Sequence, residues 1–164
     1  MVRSRAVCAI VAIALLGSAG WGWFARGRVP ASFSATVLRA VDGDTIDVRL
    51  ANGRSERVRI LGADTPEVVD PRKPVQCYGP EASAYTHSRL DGHQVRLELD
   101  TQARDKYGRL LAYVYVDGAR YDDELLRLGY ARLLIIPPNG VHARALVQAE
   151  LEAQSARRGL WGAC

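Results

Sequence analysis

The sequence predicts an α+β domain with a mainly β core, a five-stranded Greek-key barrel carrying three helices. Three observations lead there. Short runs that alternate apolar and polar residues recur between residues 33 and 116, and that period belongs to half-buried strands. Turn dipeptides of the hairpin kind, Asp42-Gly43, Asn52-Gly53 and Asp117-Gly118, punctuate those runs, and tight hairpins impose antiparallel pairing. One helical pattern interrupts the strands and two more follow them, which suits a closed barrel better than a βαβ sheet.

Residues 33–39, 45–50 and 56–61 read as the first three strands, a meander joined at the first two turns. Residues 68–77 hold Pro71 and Pro74 with Arg72 and Lys73 between them, the composition of an exposed loop. A helix is predicted over 80–90. Pro80 near its start and Glu81 in its first turn favour that end, and Asp91-Gly92 closes it. Strands over 94–99 and 110–116 follow, joined by a polar loop over 100–109. A short helix over 122–128 is stopped by Gly129, and an Ala-, Leu-, Glu- and Arg-rich helix spans about 141–157.

The 164 residues suffice for one ordinary domain with an appendage. The expected layout is a signal peptide or membrane anchor over 1–25, a linker over 26–32 and the folded domain over 33–164. Arg3 and Arg5 precede an uncharged run over residues 6–25, the order of an export signal. Gly17-Ser18-Ala19 offers a small-residue cleavage site. The whole run also approaches the ~20 residues that span a bilayer, and Trp21, Trp23 and Phe24 fit an interfacial anchor. Two readings follow: a cleaved signal giving a periplasmic or secreted protein, or a retained transmembrane helix that makes the membrane a partner.

Of three cysteines, Cys8 falls in the apolar run. Cys77 and Cys164 are a candidate disulfide, since exported domains pair their cysteines; two free thiols are the alternative. The formal charge of +4 permits association with polyanions without demanding it. His87, His93 and His142 lie apart, with no metal-ligand spacing, and read as ordinary surface or helix residues.

The chemistry is concentrated in two short segments. Val41-Asp42-Gly43-Asp44-Thr45 and Arg59-Ile60-Leu61-Gly62-Ala63-Asp64-Thr65-Pro66-Glu67 each end a strand-like run beside a turn. Asp44, Asp64 and Glu67 are thereby free to meet, with Arg59 and Arg109 facing the same spot. Carboxylates select a hard cation and guanidiniums select phosphate oxygens. Together they name a reaction class, phosphodiester hydrolysis. The spacing of Asp42, Asp44 and Asp47 does not follow an EF-hand loop.

These segments, with Tyr78-Gly79-Pro80-Glu81-Ala82-Ser83 and Asp105-Lys106-Tyr107-Gly108-Arg109 running into Leu111-Ala112-Tyr113, resemble the staphylococcal nuclease (thermonuclease) family. The resemblance covers nearly everything from Phe33 to Trp161. It implies an OB-type barrel and a monomeric, calcium-dependent (Ca2+) nuclease that cleaves DNA and RNA with little sequence specificity, leaving 3′-phosphate ends. It also implies roles. Asp44, Asp64 and the Thr65 carbonyl would hold the metal, Glu67 would position or deprotonate the attacking water, and Arg59 and Arg109 would clamp the phosphate. Lys106 and Tyr107 match positions that contact the terminal phosphate of a bound nucleotide, and Arg72 and Lys73 lie in a loop beside the DNA path.

The sequence also departs from the family. Where family members carry tyrosines that stack on the base, this chain has Leu133-Leu134-Ile135-Ile136-Pro137-Pro138. Base stacking is worth ~1–3 kcal/mol, so weaker nucleotide binding or an altered strand preference is expected, with the chemistry retained. The rival reading is a catalytically inactive nucleic-acid- or protein-binding module on the same barrel, since fold alone does not fix function. A membrane-tethered structural domain is a third, and it predicts no metal binding.

Overall fold

The computed structural model describes residues 31–68 and 74–164. The predicted signal or anchor segment, and Arg72 and Lys73, lie outside the described residues. In chain order the strands are β1 (Ser32–Ala40), β2 (Thr45–Leu50), β3 (Ser55–Ile60), β4 (Gly62–Asp64), β5 (Gln94–Arg104), β6 (Leu110–Val116), β7 (Ala119–Arg120) and β8 (Arg132–Leu134). The helices are α1 (Gly79–Leu90), α2 (Tyr121–Leu128), α3 (Ala143–Ser155) and α4 (Leu160–Ala163).

β1, β2 and β3 form the expected antiparallel meander. β1 also pairs with β5, and β5 with β6, both antiparallel. Closure comes from a parallel contact of β3 with β6, where Val58, Arg59 and Ile60 meet Leu110, Leu111 and Ala112. Five strands thus close into a barrel with no free long edge. Its interior holds Ile46, Val48, Val58, Ile60, Leu97, Ala112 and Val114, all fully buried. Each Ile, Val and Leu among them contributes about 1.5–3 kcal/mol relative to an exposed position. Outside the barrel, α2 packs on α3 through buried Leu125, Leu126, Leu146 and Ala149. Gly129 ends α2 in the left-handed region at φ 76°.

Four elements, β4, β5, β8 and α4, differ from the expectation. β5 runs on to Arg104 instead of stopping at residue 99, with irregular pairing between Leu99 and Arg104. Its outer part, Thr101 to Arg104, is exposed and therefore lacks the apolar alternation of a strand. Buried Asn139 supports it from a distance, accepting from the Gln102 N–H at 2.7 Å and donating to its carbonyl at 3.0 Å. The small β4–β8 sheet and α4 are too short to show a period in the sequence. Cys77, just before α1, is bonded to Cys164 after α4, with Cα atoms 6.1 Å apart. Among the described residues, no helix is long and apolar enough to cross a membrane.

Candidate active site

Pairing of β2 with β3 sets Thr45 opposite Arg59, which brings the turn carrying Asp44 to the end of β3. The turn is held from several sides. Asp42 accepts from the Asp44 N–H at 3.0 Å, and the Asp44 carbonyl accepts from the Ile60 N–H at 2.9 Å. Thr86 of α1 donates to the Gly43 carbonyl at 2.8 Å, and Tyr121 donates to Thr86 at 2.9 Å. Gly43 itself allows close approach, because a Cβ there would stand 2.6 Å from the Thr65 side chain. The barrel, α1 and α2 therefore all press the Asp-Gly-Asp turn against Thr65.

Asp44 is buried, and its carboxylate accepts from the Thr65 N–H at 2.8 Å and from the Thr65 hydroxyl at 3.1 Å. Arg59, also buried, reaches across the end of the barrel. Its Nη1 lies 3.1 Å from Asp44 and donates to the carbonyls of Ile60 at 3.0 Å and Ala63 at 2.7 Å. Its Nη2 donates to Asp64 at 2.7 Å. One guanidinium thus fixes the bend from β3 into β4 and links two carboxylates, work for which its planar fork is suited.

The parallel β3–β6 closure brings Arg109, the residue before β6, to the same end of the barrel. Asp105 holds it: the Arg109 N–H and Nε donate to that carboxylate at 2.9 and 2.6 Å. Glu67 follows Pro66 on the far wall. Its N–H donates to Gln76 Oε1 at 2.9 Å, and its carboxylate accepts from the Val68 N–H at 2.9 Å. These groups surround one cavity of about 120 Å³, lined by Asp42, Asp44, Thr45, Arg59, Asp64, Thr65, Pro66, Glu67 and Arg109. All five charged residues singled out as the reaction centre meet there. Arg109 also borders a wider groove with Tyr107, Gly108, Arg57 and Leu38.

Two acids of the cavity, Asp44 and less completely Asp42, are shielded from water, whereas Asp64 is exposed. Burial raises the Asp44 pKa, against the pull of Arg59 and the Thr65 N–H. Burial and the neighbouring Asp44 push Asp42 up to about 6. Asp42 was absent from the expected site because Asp-Gly reads as a turn; its side chain does cap that turn while also walling the cavity. Among the described residues, no three acid, His or Cys side chains converge as a ready-made metal cage. The expected donor set, the Asp44 and Asp64 carboxylates with the Thr65 carbonyl, consists of hard oxygens, and such a set would suit Ca²⁺ rather than a thiophilic ion. Of the histidines, His142 meets Glu98 at 2.8 Å and His87 meets Asp91 at 2.8 Å, both away from this cavity.

The staphylococcal nuclease homologue family matches residues 57–163, a stretch that includes Arg59, Asp64, Thr65, Glu67 and Arg109. The chain belongs to the staphylococcal nuclease family. It is 44% identical over 128 residues to a thermonuclease of Staphylococcus intermedius, covering 78% of this chain and 76% of that one. It is 42% identical over 125 residues to a thermonuclease of Staphylococcus hyicus, covering 76% and 73%. It is likewise 42% identical over 130 residues to the endonuclease YncB of Bacillus subtilis, covering 78% and 61%. The five-stranded barrel with its three main helices is the OB-type fold of this staphylococcal nuclease family.

The other expected family positions are placed as follows. Lys106 and Tyr107 sit on the exposed turn before Arg109, with Tyr107 72% exposed and flanked by the Lys106 and Arg109 cations. Neither lines the 120 Å³ cavity; Tyr107 lines the groove that adjoins it through Arg109. Ile135 and Ile136, in the run without aromatics, pack partly against the core. Leu134 beside them is exposed.

Proposed function

We propose that this protein is a calcium-dependent nuclease that hydrolyses phosphodiester bonds of DNA and RNA. The observation that carries the reading is the single cavity in which Asp44, Asp64, Glu67, Arg59 and Arg109 meet. The thermonuclease and endonuclease names of its relatives support it. Asp44, Asp64 and the Thr65 carbonyl are assigned to Ca²⁺, which when bound offsets phosphate charge and acidifies water.

The remaining work falls to the protein. Glu67 orients the attacking water or accepts its proton, which requires a carboxylate within hydrogen-bond reach. The water oxygen bonds to phosphorus as the bond to the 5′-oxygen breaks, leaving a 3′-phosphate and a 5′-hydroxyl once the departing oxygen is protonated. Arg59 and Arg109 donate to the phosphoryl oxygens as their charge grows. Tyr107, on the adjoining groove, and Lys106 beside it in sequence contact the nucleotide beyond the scissile bond, and Arg72 and Lys73 are assigned to the strand's path. Few base-reading groups surround the cavity, in keeping with low sequence specificity. The basic-then-apolar start of the chain and the Cys77–Cys164 bridge support an exported location.

The test is hydrolysis of single- and double-stranded DNA and of RNA by the purified protein. Activity is expected with Ca²⁺, stopping on chelation, and it should fall at least ~10²-fold in Glu67→Gln and in Arg109→Ala. Full activity in both variants would defeat the site assignment. Nucleic-acid binding without hydrolysis under any divalent cation would instead support the inactive-module reading.

A further inference from the structure

We propose that Gln76 is a positioning residue for Glu67, and that the Cys77–Cys164 disulfide keeps Gln76 in place. The inference rests on the reading of Glu67 as the carboxylate that handles the attacking water. Glu67 belongs to no helix or strand, so barrel pairing does not fix its backbone. Gln76 does. Its side-chain Oε1 accepts from the Glu67 N–H at 2.9 Å, and its own N–H donates to the Glu67 carbonyl at 3.0 Å. Those two bonds hold the peptide groups on both sides of the Glu67 Cα, and with them the direction in which the carboxylate leaves the chain.

Gln76 is itself exposed, and solvent competes with exposed hydrogen bonds. Its neighbours supply the anchor. Gly79 donates to the Gln76 carbonyl at 3.0 Å and lies so close to the Glu67 segment that a Cβ would meet Val68 at 2.5 Å and the Pro66 carbonyl at 3.0 Å. On the other side, Cys77 is covalently tied to Cys164. Cys164 ends α4, whose buried Leu160 donates to the Gly129 carbonyl at 2.9 Å at the end of α2. The disulfide thus links the Gln76 segment to the helical layer. Gln76, Cys77 and Cys164 also line a cavity of about 250 Å³ together with Asp64, Thr65 and Pro66, and those last three are shared with the reaction cavity. By tying Cys77 to Cys164 the bridge restrains the backbone next to Gln76, and small displacements of a catalytic group carry large rate penalties.

Steady-state kinetics on a DNA oligonucleotide with Ca²⁺, using the full chain, tests the clamp. Gln76→Ala is expected to lower kcat about tenfold with KM unchanged, while Gln76→Glu, which keeps an acceptor oxygen at the same reach, restores most of it. Dithiothreitol, oxidised to its cyclic disulfide as Cys77 and Cys164 become thiols, should lower the wild-type kcat in the same direction and add little to Gln76→Ala. Thermal unfolding of each sample confirms that the assays are run on folded protein. A Gln76→Ala kcat within about twofold of wild type overturns the proposal, and so does reduction that lowers kcat equally in wild type and Gln76→Ala. Glu67→Gln is assayed alongside. Full activity there removes the underlying reading of Glu67, whereas an inactive Glu67→Gln beside an unaffected Gln76→Ala removes the clamp alone.

Discussion

The Arg59 guanidinium lies 3.1 Å from the Asp44 carboxylate, and the two side chains are only 8% and 10% exposed. A buried carboxylate is tolerated when a cation faces it, and removing that cation is strongly destabilising. Arg59→Ala is therefore expected to lose stability as well as activity: about 3 kcal/mol by urea unfolding in chelator, and ~10²-fold or more in kcat. Arg59→Lys keeps the charge without the fork that reaches Asp64 and two carbonyls, so it should recover more stability than rate. Equal recovery of both would contradict the phosphate-clamp role.

Asp105 gives a second, separable prediction. It receives both the backbone N–H and the Nε of Arg109, and the Arg109 guanidinium is nearly a third exposed. In Asp105→Ala the cation persists with its orientation loosened. The expected loss in kcat is about tenfold, smaller than for Arg109→Ala. Initial rates at saturating DNA decide it; a loss as deep as that of Arg109→Ala would mean that Asp105 holds the whole turn rather than one side chain.

The acids Asp44, Asp64 and Glu67 that meet in the cavity were legible because they sit in short contiguous motifs next to turn dipeptides. Asp44 follows Asp-Gly, while Asp64 and Glu67 flank Thr-Pro, and local turn chemistry delivers Asp44 and Asp64 to strand ends with Glu67 three residues beyond. The closure of the barrel was not legible in the same way. Nothing local to Val58 or Leu110 encodes their parallel pairing; it emerges when the meander and the β5–β6 hairpin share one core. The outer half of β5 escaped notice because its support, Asn139, is remote in sequence and polar. Gln76 and Asp42 show a further limit. One reads as a loop residue and the other as half of a turn, and only the folded chain puts Gln76 on Glu67 and Asp42 in the cavity wall.

The metal assignment predicts linkage between Ca²⁺ and stability. A ligand at 100 times its Kd stabilises the native state by ~2.7 kcal/mol. Wild type is expected to gain on that order between chelator and saturating Ca²⁺, whereas Asp44→Asn and Asp64→Asn should gain less than ~1 kcal/mol under the same conditions. Comparing each variant with itself removes the structural effect of losing an Arg59 partner. A full Ca²⁺-dependent gain in both variants would place the ion elsewhere.

Asp122, at the start of α2, is fully buried. Arg120 stands 3.0 Å away, yet burial outweighs that attraction and pushes the carboxyl up from 3.8 to about 7. Between those two values the folded protein holds a proton that the unfolded chain has released. Stability must then fall as pH rises through that window. The contribution is complete below about pH 4 and gone above about pH 7, on the order of 4 kcal/mol at most. Asp122→Asn is neutral throughout and lacks this term. Urea unfolding in chelator at several pH values from 5 to 8 should show the variant gaining on wild type as pH rises. Because Asp42 and Asp44 titrate alike in both proteins, the difference isolates position 122. A difference that stays flat across the range would mean that Asp122 is ionised in the fold, with Arg120 as its full counter-ion.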